Sequence, residues 1–144
     1  MNEKEKLHVA TCFGCSQENP VGLKVNFEFR QDCVIAEFNS NKYHMGPPNS
    51  VHGGIIMCLI DEAISTLARG LLKYDVRTIR NEITFRNAAK IGERIYIEAR
   101  LKEEKSRAIT AVAKVTSSNN IVAEGISTLL KVKGRTYDLT GEPA

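Results

Sequence analysis

Residues 51–63 (Val51-His52-Gly53-Gly54-Ile55-Ile56-Met57-Cys58-Leu59-Ile60-Asp61-Glu62-Ala63) leave this chain few ways to fold. Two glycines break the chain direction, and a mostly apolar segment follows over residues 55–72. Apolar residues fall on every side of its helical projection, which predicts a helix enclosed by the rest of the domain. Asp61 and Glu62 stand in its middle. A carboxylate among Ile, Leu, Ala and Met loses hydration, and something must offset that loss. Either one of them faces a solvent seam, or an ionisable group is held there for chemistry. The second reading is adopted for Asp61, because such a group on an apolar helix behind a glycine-opened terminus is unusual.

At 144 residues the chain is long enough for one domain with its own core. A net charge of +3 falls far short of a nucleic-acid footprint, though it favours small anions. Asp61, Glu62 and Arg69 interrupt the apolar segment, which argues against a membrane span. The charged opening, Met1 to Lys6, lacks an apolar signal core, and four cysteines are then expected to stay reduced in the cytoplasm.

Residues 1–10 read as frayed and residues 135–144 as a loose tail. Residues 23–30 alternate strictly, which predicts a strand with one buried face. Gln31-Asp32 makes a turn, and residues 33–38 return as a second strand. A loop rich in Asn, Gly and Pro (residues 39–50) leads into the helix. Strands are then expected at 78–85, 94–102, 107–116 and 121–132, separated by turns. Ile95, Ile97, Ala99 and Leu101 mark one inward face; Ile109, Ala111, Ala113 and Val115 mark the next. The small residues Ala123, Gly125 and Ser127 let a helix come close to the last strand. Short turns imply antiparallel pairing, so this is an α+β domain with a six-stranded antiparallel sheet curled around one long central helix.

Several motifs carry a resemblance over residues 12–134. They are His52-Gly53-Gly54 followed by Asp61, Gly46-Pro47-Pro48 before them, and Ile83-Thr84-Phe85 followed by Gly92. Cys12-Phe13-Gly14-Cys15 with Asn19-Pro20-Val21-Gly22-Leu23 adds to them. Together they resemble the hotdog-fold acyl-CoA thioesterases, the group around the phenylacetyl-CoA and 4-hydroxybenzoyl-CoA enzymes. Ala88 departs from the pattern, where many members carry proline, and so does Glu62 beside Asp61. The resemblance implies a single hotdog domain over residues 1–144 that hydrolyses acyl-CoA to free acid and CoA. It needs no cofactor, because CoA is part of the substrate. It also implies homodimers, often paired into tetramers, and gives Thr78 the task of positioning the water or the Asp61 carboxylate.

The residues themselves suit that chemistry. A helix start offers free backbone N–H groups and partial positive charge, and glycine lets a carbonyl approach. Gly53 and Gly54 therefore suit an oxyanion hole, with the Gly54 N–H as first choice. Asp61 serves as nucleophile or as general base. His52 orients substrate or water, or else caps the helix. Gly54 and Asp61 are seven residues apart, about 10 Å along a helix, too far to meet one carbonyl carbon. Two subunits with facing helices solve this, so a homodimer with shared sites is expected.

CoA phosphates need cations at the mouth of the pantetheine groove. Lys102, Lys105, Ser106 and Arg107 crowd one hairpin. By resemblance the nucleotide rests between that hairpin and the end of the third strand, where Thr84 and Arg86 lie. A hotdog dehydratase or hydratase and a non-catalytic acyl-CoA-binding module are the alternatives. The His-Gly-Gly run disfavours the first, and the absence of a helix-turn-helix in residues 1–20 disfavours the second. No partner nucleic acid or membrane is expected. Cys12 and Cys15 offer two metal ligands of the four a structural zinc needs, with only Cys33, His8 or His44 to complete them. The pair is therefore read as packing the N-terminal loop, with Phe13 as anchor and no metal.

Overall fold

The protein, described here by a computed structural model, is defined over residues 11–136, with side chains to residue 132. Strand β1 spans Phe27–Phe29 and β2 spans Cys33–Asn39. A 3-10 turn over Lys42–His44 precedes helix α1, Gly53–Gly70. Strands β3 (Tyr74–Phe85), β4 (Arg94–Glu104), β5 (Ala108–Ser117) and β6 (Asn120–Thr136) follow. They form one six-stranded sheet in the order β1-β2-β4-β5-β6-β3, antiparallel throughout. Helix α1 touches all six strands, so the sheet wraps it as expected. This is the hotdog arrangement. The expected frayed segment at residues 1–10 lies outside the described residues.

The core lies between α1 and the concave face. Ile56, Leu59, Ile60, Ala63, Ile64, Leu67 and Ala68 supply the helix side. Ile95, Ile97 and Ala99 of β4 and Ile109, Ala111, Ala113 and Val115 of β5 bury as their alternation predicts. The small face of β6 also behaves as expected. A Cβ on Gly125 would lie 2.7 Å from Ile60 Cγ2, so glycine sets how closely helix and sheet approach.

Four expectations need correction. Helix α1 is not enclosed on every side. Gly54 and Met57 are exposed and Asp61 half-buried, so one stripe lies uncovered, with Met57 at 43%. Leu101 keeps the expected face, opposite buried Ala111, but is 38% exposed as the last such position before the β4–β5 register slips. The first strand is ladder only at Phe27–Phe29. Lys24 takes φ +55°, which interrupts the extended run. Leu23 and Val25 still bury, but their N–H groups donate to Phe13 and Gly14 carbonyls at 2.7 and 3.0 Å. Those bonds, and not Phe13, anchor the N-terminal loop; the Phe13 ring is 44% exposed. Finally, β3 begins at Tyr74, which pairs with Thr136. The two strands extend each other, so Arg135 belongs to β6 and not to a loose tail; residues beyond 136 are outside the described range.

Candidate active site

The site begins at the first turn of α1. The loop before it is held by His52 N–H donating to the His44 carbonyl at 2.8 Å and Val51 N–H donating to Ala89 at 2.8 Å. His52 is the N-cap, and its Nδ1 accepts the Gly54 N–H at 2.8 Å. The capping role considered for His52 is therefore realised, and the Gly54 donor is engaged. Neither Gly53 nor Gly54 has positive φ. Their use is space: a Cβ on Gly54 would lie 2.9 Å from His52 Nδ1, and one on Gly53 would rest 3.5 Å from the Phe85 ring. A groove of about 820 Å³ flanks this turn, walled in part by Phe13, Leu23, Tyr43, His44 and Ile55; neither Asp61 nor Asn81 lines it.

Asp61 sits two turns further along the uncovered stripe. Asn81 of β3 donates from Nδ2 to Asp61 Oδ1 at 3.2 Å. Asn81 Oδ1 in turn accepts from the hydroxyl of buried Ser127 on β6. That bond fixes the amide orientation, so the NH₂ faces the carboxylate. One oxygen of the Asp61 carboxylate is held in this way.

Strand β3 delivers these groups through a register shift between Thr78 and Arg80. Thr78, Asn81 and Ile83 oppose Leu129, Ser127 and Gly125, which are alternate residues on the concave face of β6. The shift re-aims the strand so that Thr78 and Asn81 share that face. Thr78 makes no hydrogen bond to Asp61; within this chain that contact comes from Asn81, which sequence reasoning passed over. A polar residue between Ile79, Ile83 and Phe85 on one alternating face was the available signal.

The two adjacent carboxylates are separated by the fold. Glu62 turns to the N-terminal loop, where Cys12 Sγ lies 3.8 Å from its Oε1 and Cys15 Sγ 3.2 Å from Cys12 Sγ. Burial, then the Cys12 charge, raises the Glu62 pKa. The hydrogen bond with Cys12, then burial, raises that of Cys15. Burial, then the charge of Glu62, pushes the Cys58 thiol up to about 11. Glu62 was not among the ligands weighed for the cysteine pair.

The expected CoA-binding residues fall into two groups. Thr84 pairs with Glu124, which pairs with Lys114; Arg77 pairs with Leu130, which pairs with Ala108. Thr84 and Arg86 thus lie at one end of the sheet and the exposed hairpin Lys102, Lys105, Ser106 and Arg107 at the other, about 20 Å apart along the strands. The structure does not bring them together within one chain. Arg86 is also held by Glu124 at 3.1 Å, and Lys105 approaches Glu103 at 3.9 Å. The Gly53–Phe85 contact places the helix start at the Arg86 end.

One long helix wrapped by a six-stranded antiparallel sheet defines a hotdog-fold protein. The sequence profile of the thioesterase superfamily matches residues 48–124, more than half of the chain, and the chain belongs to that family. The fold is similar to a Streptococcus mutans UA159 protein solved bound to acetyl CoA, at 22% identity and TM-score 0.70, covering 78% of this chain and 92% of that one. It is similar to a hypothetical thioesterase of Streptococcus pneumoniae TIGR4 solved with coenzyme A, at 17% identity and TM-score 0.71, covering 79% and 88%. Zebra fish thioesterase superfamily member 2 matches at 20% identity and TM-score 0.72, covering 90% and 96%. Proteins of curated function give no significant match. Among the described residues, no helix is long and apolar enough to cross a membrane.

Proposed function

We propose that the protein hydrolyses acyl-CoA thioesters, with Asp61 as base or nucleophile and the Gly54 N–H of a partner subunit as oxyanion donor. The observation that carries this is the uncovered stripe of α1, where Asn81 holds Asp61 about 10 Å from Gly54. A second copy, related by a two-fold axis with its helix facing this one, puts each Asp61 near the other's helix start. The same operation sets the Lys102–Arg107 hairpin of one copy beside the Thr84–Arg86 end of the other. One symmetry thus supports both the catalytic and the cation assignments. Edge strand β3, with Ile79 and Phe85 exposed, suits the pairing. The CoA ligands of two similar structures support the substrate class.

In the general-base form, Asp61 takes a proton from water as its oxygen bonds to the carbonyl carbon. The carbonyl oxygen becomes an oxyanion and displaces His52 Nδ1 at Gly54. The intermediate collapses, the carbon–sulfur bond breaks, and the proton passes to the CoA sulfur. In the nucleophile form, Asp61 attacks the carbonyl carbon, the carbon–sulfur bond breaks with CoA leaving as the thiolate, and water then opens the mixed anhydride to the free acid and Asp61.

Thiol release should be measured across straight-chain and aromatic acyl-CoAs. Asp61→Asn should lower kcat about 10²–10⁴-fold, while Glu62→Gln keeps most of it. Verified heterodimers of Asp61→Ala with Gly54→Pro subunits should regain about one site in two. Acyl-CoA binding without turnover would replace this reading with a binding module; activity in Asp61→Asn but not Glu62→Gln would move the chemistry to the other carboxylate.

A further inference from the structure

The mechanism leaves one half-buried carboxylate on α1 unused. Glu62 Oε1 lies 3.8 Å from Cys12 Sγ, and Cys12 Sγ lies 3.2 Å from Cys15 Sγ. One ligand atom from each of the three residues falls within 4.8 Å of the others, and all three are half-buried. Tetrahedral zinc, with sulfur at about 2.3 Å and oxygen at about 2.0–2.2 Å, separates its ligands by about 3.5–3.8 Å. The Cys12–Cys15 and Cys12–Glu62 spacings reach that with shifts of about half an ångström or less, and the Cys15–Glu62 pair, within 4.8 Å, with about 1.3 Å at most.

The loop is shaped around the carboxylate. A Cβ on Gly14, between the cysteines, would lie 2.5 Å from Glu62 Oε2 and 2.6 Å from its Cδ. Only glycine lets the turn close over Glu62 with a sulfur on either side. The turn is braced by Ser16 N–H donating to the Cys12 carbonyl at 3.2 Å and by the bonds of Leu23 and Val25 to Phe13 and Gly14. Two thiolates and a carboxylate favour zinc over magnesium or calcium, which take oxygen donors.

We propose that Cys12, Cys15 and Glu62 bind a zinc ion, with water in the fourth position, tying the N-terminal loop to α1 beside Asp61. The site joins residues 50 apart in sequence and is independent of the reading of Asp61. It gives the Cys12-x-x-Cys15 motif the work that the exposed Phe13 does not do.

The full chain, purified in a non-thiol reductant and stripped with chelator, should bind one Zn²⁺ or Co²⁺ per chain. Co²⁺ should produce a thiolate charge-transfer band and the visible bands of a tetrahedral ion. Cys12→Ser and Cys15→Ser should abolish the thiolate band and weaken Zn²⁺ binding at least about 100-fold, Glu62→Gln at least about tenfold. Cys33→Ala should change neither. Substoichiometric binding, or a thiolate band that survives Cys12→Ser or Cys15→Ser, overturns the proposal. Should a variant not fold, X-ray absorption of the zinc-loaded wild-type chain decides. Two sulfur neighbours are expected; none, one, or more than two overturns it. None of these readouts uses thioester hydrolysis, so failure here and failure of the proposed activity stay distinguishable.

Discussion

Gly125→Ala should loosen the contact on which the depth of α1 in the sheet depends. The new Cβ would stand 2.7 Å from Ile60 Cγ2 and 3.5 Å from Ile60 Cδ1 and Ile83 Cγ1. Ordinary carbon contacts lie near 3.5–4.0 Å, so the first is about 1 Å too short. Cγ2 hangs directly on the Ile60 Cβ and cannot swing aside without leaving the one χ1 well a helix favours for isoleucine or moving the helix. Overpacking of this kind costs about 1–3 kcal/mol. Removing a strand glycine returns about 0.5–1 kcal/mol, for a net loss of about 0–2.5 kcal/mol. Urea melts at constant m-value measure it. Leucine at position 60 has no Cγ2, so in an Ile60→Leu background Gly125→Ala should be neutral or stabilising. The coupling between the two sites should be about 1–3 kcal/mol. Because Asp61 follows Ile60, the single variant should also lower kcat as the carboxylate draws away from Asn81. An equal cost in both backgrounds, or a wild-type background stabilised by Gly125→Ala, would refute the reasoning.

Three further outcomes follow from two side chains already placed. Asn81→Ala removes a hydrogen bond to a charged acceptor and should lower kcat about 10–100-fold, with KM within about threefold. Asn81→Asp sets a second carboxylate against Asp61 and should move the acid limb of the pH–rate profile upward; an unmoved limb argues against the contact. His44 has its pKa lowered by burial, and its Nδ1 accepts the Asn41 N–H at 3.0 Å, which an imidazolium cannot do. The unfolded chain therefore binds this proton more readily, and stability should fall as pH drops from about 6.5 through the folded pKa. A urea series from pH 7.5 to 5 should show a shallower slope in His44→Gln than in the wild type, and equal slopes would exclude the effect.

The fold was legible where side-chain period alone decides it. Ile95, Ile97 and Ala99 alternate into the core, and the one long apolar run had to be wrapped. It was illegible where backbone irregularity intervenes. The positive φ of Lys24 leaves no local compositional mark, so one strand was drawn too long. Gly125 was readable as a close approach because small residues repeat on one strand face. Asn81 was half-readable, since its polarity stands out among Ile79, Ile83 and Phe85, yet its partner lies on the helix. Glu62 beside the cysteines was not readable, because only the tertiary fold brings residues 50 apart together. Counting the length of α1 did show that Gly54 and Asp61 cannot serve one carbonyl alone; the same limit for the cations needed the sheet register.

In the resting protein the Gly54 amide is answered by the ring of His52. A neutral thioester carbonyl accepts a proton less well than an imidazole nitrogen, and so gains little by taking its place. A full negative charge on that oxygen reverses the contest. In the proposed reaction this built-in rival keeps the donor from tightening the Michaelis complex and reserves it for the moment of bond making, where it accelerates turnover.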